Sequence, residues 1–154
     1  MRLKHANLND YDEVYSIFQT YRKLWFPHLR TDKLKRQIGS GECIFDRDVV
    51  ITYSIYKKKT QITKGLSLYG EKGECVLHQI VSKKQDGSSS KVFNDFFNFI
   101  NTNLYLTVRS SNERAIGFYK KMGMKEVGKT SWSNGTLEGL VFLKSSKGLE
   151  EFMK

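Results

Sequence analysis

Proline is nearly missing from this chain, with Pro27 the single example in 154 residues, which excludes a proline-rich linker or a disordered low-complexity tract. Cysteine is almost as scarce: Cys43 and Cys75 stand 32 positions apart with no partner cysteines, and His5, His28 and His78 are scattered. Neither a zinc spacing nor a disulfide framework is present, so no metal is expected. No apolar run approaches the length of a membrane span, and the opening Met1, Arg2, Leu3 and Lys4 lead into polar residues rather than a signal core. These absences predict a reducing, cytoplasmic setting without membrane association. Acidic residues are also short, 16 against 26 Lys and Arg, for a net charge of +10. Such a surplus points to an anionic partner, whether nucleic acid, phosphorylated cofactor or acidic protein, or to nothing more than a solvated surface.

Apolar residues make up 39% and charged residues 27%, and 10 Phe, 8 Tyr and 2 Trp supply an aromatic core. That balance belongs to a folded protein. The length suits a single domain over residues 1 to 154, with 145 to 154 as a candidate C-terminal tail.

Along the chain, residues 2 to 6 suit a short first strand. Asn9, Asp10 and Asp12 open a helix whose face is Val14, Ile17, Phe18, Tyr21 and Leu24, ended by Pro27. Thr31 caps a second helix carrying Leu34 and Ile38 before Gly39 and Gly41. From 42 to 56 a β-hairpin turns at Asp46, Arg47 and Asp48. The basic stretch from 57 to 64, with the glycines at 65, 70 and 73, reads either as a mobile basic loop or as a segment holding a short strand at 66 to 69. A strand at 75 to 82 empties into a polar loop at 83 to 90, followed by a helix with the stripe Val92, Phe93, Phe96, Phe97 and Ile100. The next strand, containing Leu104, Leu106 and Val108, is then its parallel neighbour. Ser110 and Glu113 have capping-box spacing, Ala115, Phe118, Tyr119 and Met122 follow at helical spacing, and Gly123 stops the helix. Asn134 and Gly135 then turn a hairpin of strands 124 to 132 and 137 to 144, and a last helical turn at 149 to 153 either forms or frays.

Two places carry chemistry. Gly87 and Ser88, Ser89 and Ser90 keep a strand-to-helix loop small, and Lys83, Lys84 and Lys91 add positive charge, a setting for an anion. An ordinary Ser-capped helix has the same look, and the Walker spacing is lacking. Asn112, Ala115 and Tyr119 share one helix face starting at its amino end. A core tyrosine whose hydroxyl reaches the surface is the commoner use of such a position.

Taken together, the order β-α-α-β-β-β-α-β-α-β-β and the block from Val108 to Met124 resemble the GNAT superfamily of acyl-CoA-dependent N-acyltransferases. Val108, Asn112, Ala115, Phe118, Tyr119 and Gly123 are similar to that family's V-x-x-x-N-x-x-A-x-x-F-Y-x-x-x-G-F block, with Met124 in place of the final Phe. The resemblance implies an α+β fold: a central mixed sheet of about seven strands with helices on both faces. It implies acetyl-CoA as co-substrate, with Lys84, Gln85, Gly87, Ser88, Ser89 and Ser90 as the pyrophosphate loop. Strand amides around Ile80, Val81 and Lys83 would hold pantetheine, Asn112 would contact the pantetheine arm or nearby backbone, and Tyr119 would protonate the departing thiolate. The family loop reads Gln or Arg, two residues, Gly, one residue, then Gly or Ala. Fitting it from Lys84 keeps Gly87 and puts Ser89 in the last place; fitting it from Gln85 puts Ser88 and Ser90 there instead. The first register is preferred, because it places Val92 and Phe93 at the family's apolar pair. Either way a glycine has become serine.

Neutral amine is the reactive form in acyl transfer, and a free alkylamine has a pKa of roughly 10, so a base or a water chain is required. His78 lies where the family often places one; Glu74, Glu42 and a substrate-side water are the others. The spread of Arg22, Lys23, Lys33, Lys35, Arg36 and Lys57 to Lys59 exceeds what acetyl-CoA needs and suggests an anionic acceptor, an amine on nucleic acid or on a protein. The competing readings are a non-catalytic GNAT-like basic module docking on nucleic acid or an acidic protein, and a small basic α/β interaction protein of no family relation. Either a monomer or a homodimer fits.

Overall fold

The computed structural model describes residues 3 to 25, 30 to 84, 86 to 132 and 135 to 146, apart from the side chains of 21 to 25. Expectations placed on Arg2, Pro27, His28, Gln85, Asn134 and 149 to 153, and on the side chains of Tyr21, Arg22, Lys23 and Leu24, lie outside what is described. The elements are α1 (Tyr11–Trp25), α2 (Thr31–Gly39), β1 (Cys43–Asp46), β2 (Val49–Ile55), β3 (Thr60–Gln61), β4 (Tyr69–Gly70), β5 (Cys75–Ser82), α3 (Ser88–Ile100), β6 (Leu104–Arg109), α4 (Glu113–Lys121), β7 (Lys125–Trp132) and β8 (Leu137–Lys144). The strands form a mixed six-stranded sheet in the order β1-β2-β5-β6-β8-β7 and a separate β3-β4 pair. The chain gathers into two compact units, Met1–Tyr53 with His78–Phe99, and Ser54–Leu77 with Ile100–Lys154.

In the first unit, the expected opening strand is reduced to one bridge, His5 to Ile44. Asn7 captures the chain first: it caps a 3-10 turn at Leu8–Asp10, and Asp10 returns the bond to the Asn7 amide, so helix entry starts before Asn9. Val14, Ile17 and Phe18 of α1 pack with Leu34 and Ile38 of α2 on Cys43, Phe45 and Val50. Tyr53, of opposite parity to Val50, meets Phe96 of α3 edge-on at 5.0 Å, so helices cover both faces here. The β1-β2 turn places Arg47 and Asp48 at φ 49 and 61, a primed turn built without glycine. Arg47 is held by Asp46 at 3.0 Å and by Asp95 of α3 at 2.5 Å.

In the second unit, β5 and β6 run parallel, as a β-α-β connection demands, with Cys75 opposite Leu104 and Val76 opposite Tyr105. β6, β8 and β7 are antiparallel neighbours. Gly128 and Thr130 of β7 pair with Val141 and Gly139 of β8 and share their face, whereas Phe142 and Lys144 point the other way. The basic insertion is mostly irregular, and its strand at 66 to 69 is reduced to a two-residue pair that starts at Tyr69. Thr60 and Gln61 pair with Gly70 and Tyr69, the Thr63 hydroxyl meets that of Thr130 at 2.5 Å, and Leu66 lies against Gly128, where a Cβ would come within 2.5 Å of it. Glu74 ties the base of the insertion, accepting from the Glu71 amide at 2.6 Å, Asn103 at 2.6 Å and the Tyr105 hydroxyl at 3.4 Å.

Candidate active site

β5 leaves the sheet at Ser82, whose hydroxyl donates to the Lys84 carbonyl at 2.5 Å and accepts the Lys84 amide at 3.3 Å. This local clasp turns the chain outward. The Lys83 amide donates to the Asp48 carbonyl at 2.9 Å, and the Lys84 ammonium lies 3.5 Å from the Asp48 carboxylate. Ile80 is half-buried and Val81 buried. Gly87 takes φ +86, where an L side chain is strained, and α3 begins at once with Ser88. Ser88, Ser89 and Ser90 are therefore the first turn of a helix rather than loop residues. Helix geometry leaves first-turn amides without intrahelical acceptors at the positive end of the peptide dipoles, and no acidic residue sits in that turn. One of these donors is already taken: the Asp86 carboxylate accepts the Ser88 amide at 3.1 Å. Hydrogen bonding from the Ser88 side chain, and then from its amide, holds the Asp86 carboxyl below the usual carboxylate range. Lys83 and Lys91 are exposed and form no ion pair among the described residues.

His78 on β5 is half-buried. Desolvation lowers its pKa, the Lys33 charge lowers it further and Glu42 opposes both, so the ring is neutral at pH 7. Of the other base candidates, Glu74 is engaged as described above and Glu42 accepts from the Ser40 hydroxyl at 2.9 Å.

In the second unit, α4 is capped by Asn112, whose side chain accepts the Ala115 amide at 3.2 Å. The capping box expected of Ser110 does not form. The Ser110 amide is committed to the Glu138 carbonyl of β8 at 2.9 Å, so it is not free for the Glu113 side chain to close the box. Tyr119 is 7% exposed, its ring 5.6 Å from that of Phe118 and 6.3 Å from that of Phe142. Its hydroxyl makes no hydrogen bond among the described residues, yet none of their buried side-chain polar atoms is sealed without a partner. The ring is therefore buried, and the oxygen is not wholly sealed. Desolvation raises its pKa, which keeps the phenol protonated at any physiological pH.

The sequence matches no protein-family model and no curated protein. Solved structures do match. An acetyltransferase of the GNAT family from Streptococcus agalactiae superposes with a TM-score of 0.74 at 12% identity, covering 94% of each chain. The fold is that of the GNAT acetyltransferases. Arabidopsis thaliana NAA60 in complex with acetyl-CoA gives 0.66 at 15%, covering 94% of this chain and 98% of that one. The ribosomal-protein alanine N-acetyltransferase of Escherichia coli gives 0.66 at 13%, covering 94% and 92%.

On this GNAT fold, the sequence-predicted residues fall into two groups. Ile80, Val81, Lys83, Lys84, Gly87, Ser88, Ser89, Ser90 and His78 belong to the first unit, Asn112 and Tyr119 to the second. Sequence reasoning missed Asp86 and Asp48 as partners of the loop. The Asp86 to Ser88 spacing is an Asx-turn signal that was open to reading; the docking of Asp48 on Lys84 is long-range and left no local trace. The charge surplus is also unevenly placed: the second unit holds 14 of the 26 basic residues and 7 of the 16 acidic ones. Among the described residues no group of three or more His, Cys, Asp or Glu side chains is arranged to hold a metal, and no helix is long and apolar enough to cross a membrane.

Proposed function

We propose that the chain is an acyl-CoA-dependent N-acetyltransferase that passes an acetyl group from acetyl-CoA to a primary amine of an anionic acceptor, nucleic acid or protein. The observation that carries the reading is Tyr119, a buried ring whose hydroxyl makes no hydrogen bond among the described residues, on a helix of a GNAT fold. The first turn of α3, Gly87 at positive φ and the unpaired Lys83 and Lys91 suit the pyrophosphate. With the Lys83 amide committed to Asp48, the pantetheine falls to the Ile80 and Val81 backbone, and the Lys83 contribution is its charge.

In the reaction the amine nitrogen attacks the thioester carbonyl carbon to give a tetrahedral oxyanion. The C–S bond then breaks with its electron pair on sulfur, and sulfur takes the Tyr119 phenolic proton; the phenolate regains a proton from solvent. A buried phenol is a weak acid, but the desolvation that raises it also raises the proton affinity of the departing thiolate. The proton lost by the amine goes to neutral His78 or to water. The basic surplus of the second unit favours an acceptor with negative surroundings.

A second reading, a non-catalytic basic module docking on nucleic acid or an acidic protein, draws support from Asp86, whose carboxylate occupies a donor that pyrophosphate would use. Calorimetric titration with acetyl-CoA separates the two. Saturable one-to-one binding is expected, and no heat up to millimolar ligand would leave only the module.

A further inference from the structure

We infer that Lys144 is a positioning residue for Tyr119, acting through the carboxyl end of α4. Its catalytic consequence rests on the acetyltransferase reading; its structural consequence does not.

An α-helix ends with carbonyls that lack donors. In α4 two of them are closed by the chain itself: the Met124 amide donates to the Tyr119 carbonyl and the Gly123 amide to the Lys120 carbonyl, both at 3.0 Å. Gly123 at φ +88 makes this possible. The Met122 carbonyl is closed from outside, by the Lys144 ammonium at 2.7 Å. Lys144 stands opposite Leu104 at the end of β8. Phe142, two residues earlier on the same face, meets the Tyr119 ring at 6.3 Å. β8 thus grips α4 at two points, one on the Tyr119 ring itself and one just beyond the helix end.

The grip matters because nothing else fixes the hydroxyl. With no hydrogen bond on that oxygen among the described residues, its place follows from ring packing and from the helix axis alone. A shift of the α4 end passes undamped to the phenol. The fit is close: a Cβ on Gly123 would lie 2.7 Å from the Lys144 ammonium. A plain stability cap would serve the fold equally well, so the test must read Tyr119 directly.

Lys144→Met keeps the stem and removes the donor, Lys144→Arg restores a donor, and Lys144→Gln is the substitute should the methionine variant fail to fold. In protein labelled at the tyrosine ζ-carbons, the Tyr119 resonance is expected to move in Lys144→Met and return in Lys144→Arg while the other tyrosines hold. With turnover followed as thiol release from acetyl-CoA, kcat is expected to fall about tenfold in Lys144→Met with KM for acetyl-CoA within about twofold, a displaced reacting group being costly. The double variant Tyr119→Phe with Lys144→Met then loses no more than Tyr119→Phe alone. An unmoved Tyr119 resonance, or losses that multiply in the double variant, overturns the inference. A wild-type protein that binds no acetyl-CoA overturns the acetyltransferase reading instead, and the resonance still decides the role of Lys144.

Discussion

The Asp86 carboxylate accepts the Ser88 amide at 3.1 Å, so the chain supplies its own anion to the helix end that the proposed pyrophosphate would use. The two negative groups compete for that end. Asp86→Asn keeps an oxygen for the Ser88 amide and removes the charge. Acetyl-CoA is expected to bind about three- to tenfold more tightly at low salt, with the difference shrinking as salt rises. Titration of both proteins at two ionic strengths measures it; unchanged or weaker binding contradicts the competition.

His78 predicts a stability profile. Its folded-state pKa lies below the ordinary 6.5, so below that pH the unfolded chain takes up a proton that the folded one refuses. Stability is therefore full above about pH 6.5 and falls as the pH drops toward the folded value. His5, beside the Tyr53 hydroxyl at 3.1 Å, is lowered by burial and adds in the same direction. Urea midpoints between pH 7.5 and 5 are expected to fall in the wild type and to fall less in His78→Gln. Equal slopes contradict the burial argument.

Two glycines of the second unit predict a contrast with a third. Gly123 holds the left-handed conformation that ends α4, and Gly123→Ala is expected to cost about 1–2 kcal/mol from backbone strain alone. At Gly139 a Cβ would meet the Trp132 ring and come within 2.9 Å of the Val108 carbonyl oxygen. Backbone cannot yield as a side chain can, so Gly139→Ala is expected to cost about 1–3 kcal/mol. At Gly128 the obstacle is the end of Leu66, which is flexible, so the third variant is the mildest. Denaturant unfolding orders the three.

The stretch from 104 to 128 was the most legible part of the sequence: β6, the periodic face of α4 and the Gly123 stop stand where the pattern put them, and β7 starts one residue later than expected, at Lys125. Each of those signals is local. The cap residues were less legible, because Ser110, Ser111 and Asn112 are all good caps and the choice among them fell to a bond between Ser110 and distant β8. The same competition moved the first helix entry from Asn9 to Asn7. The β3-β4 insertion was opaque for another reason: Leu66 and Thr63 are placed by Gly128 and Thr130, more than 60 positions away. The candidate site was readable as residue types but not as electrostatics, since Asp48 reaches Lys84 across the fold.

The measurement that bears most directly on the account is thiol release from acetyl-CoA by wild type and Tyr119→Phe, across a panel of amines including aminoacyl-RNA and peptide α-amines. The Tyr119 hydroxyl makes no protein hydrogen bond among the described residues, so phenylalanine keeps the packing and stability should change by under about 1 kcal/mol. Loss of the acid is expected to lower kcat about a hundredfold while acetyl-CoA affinity holds. A variant as active as the wild type, at equal stability, would contradict the role assigned to Tyr119.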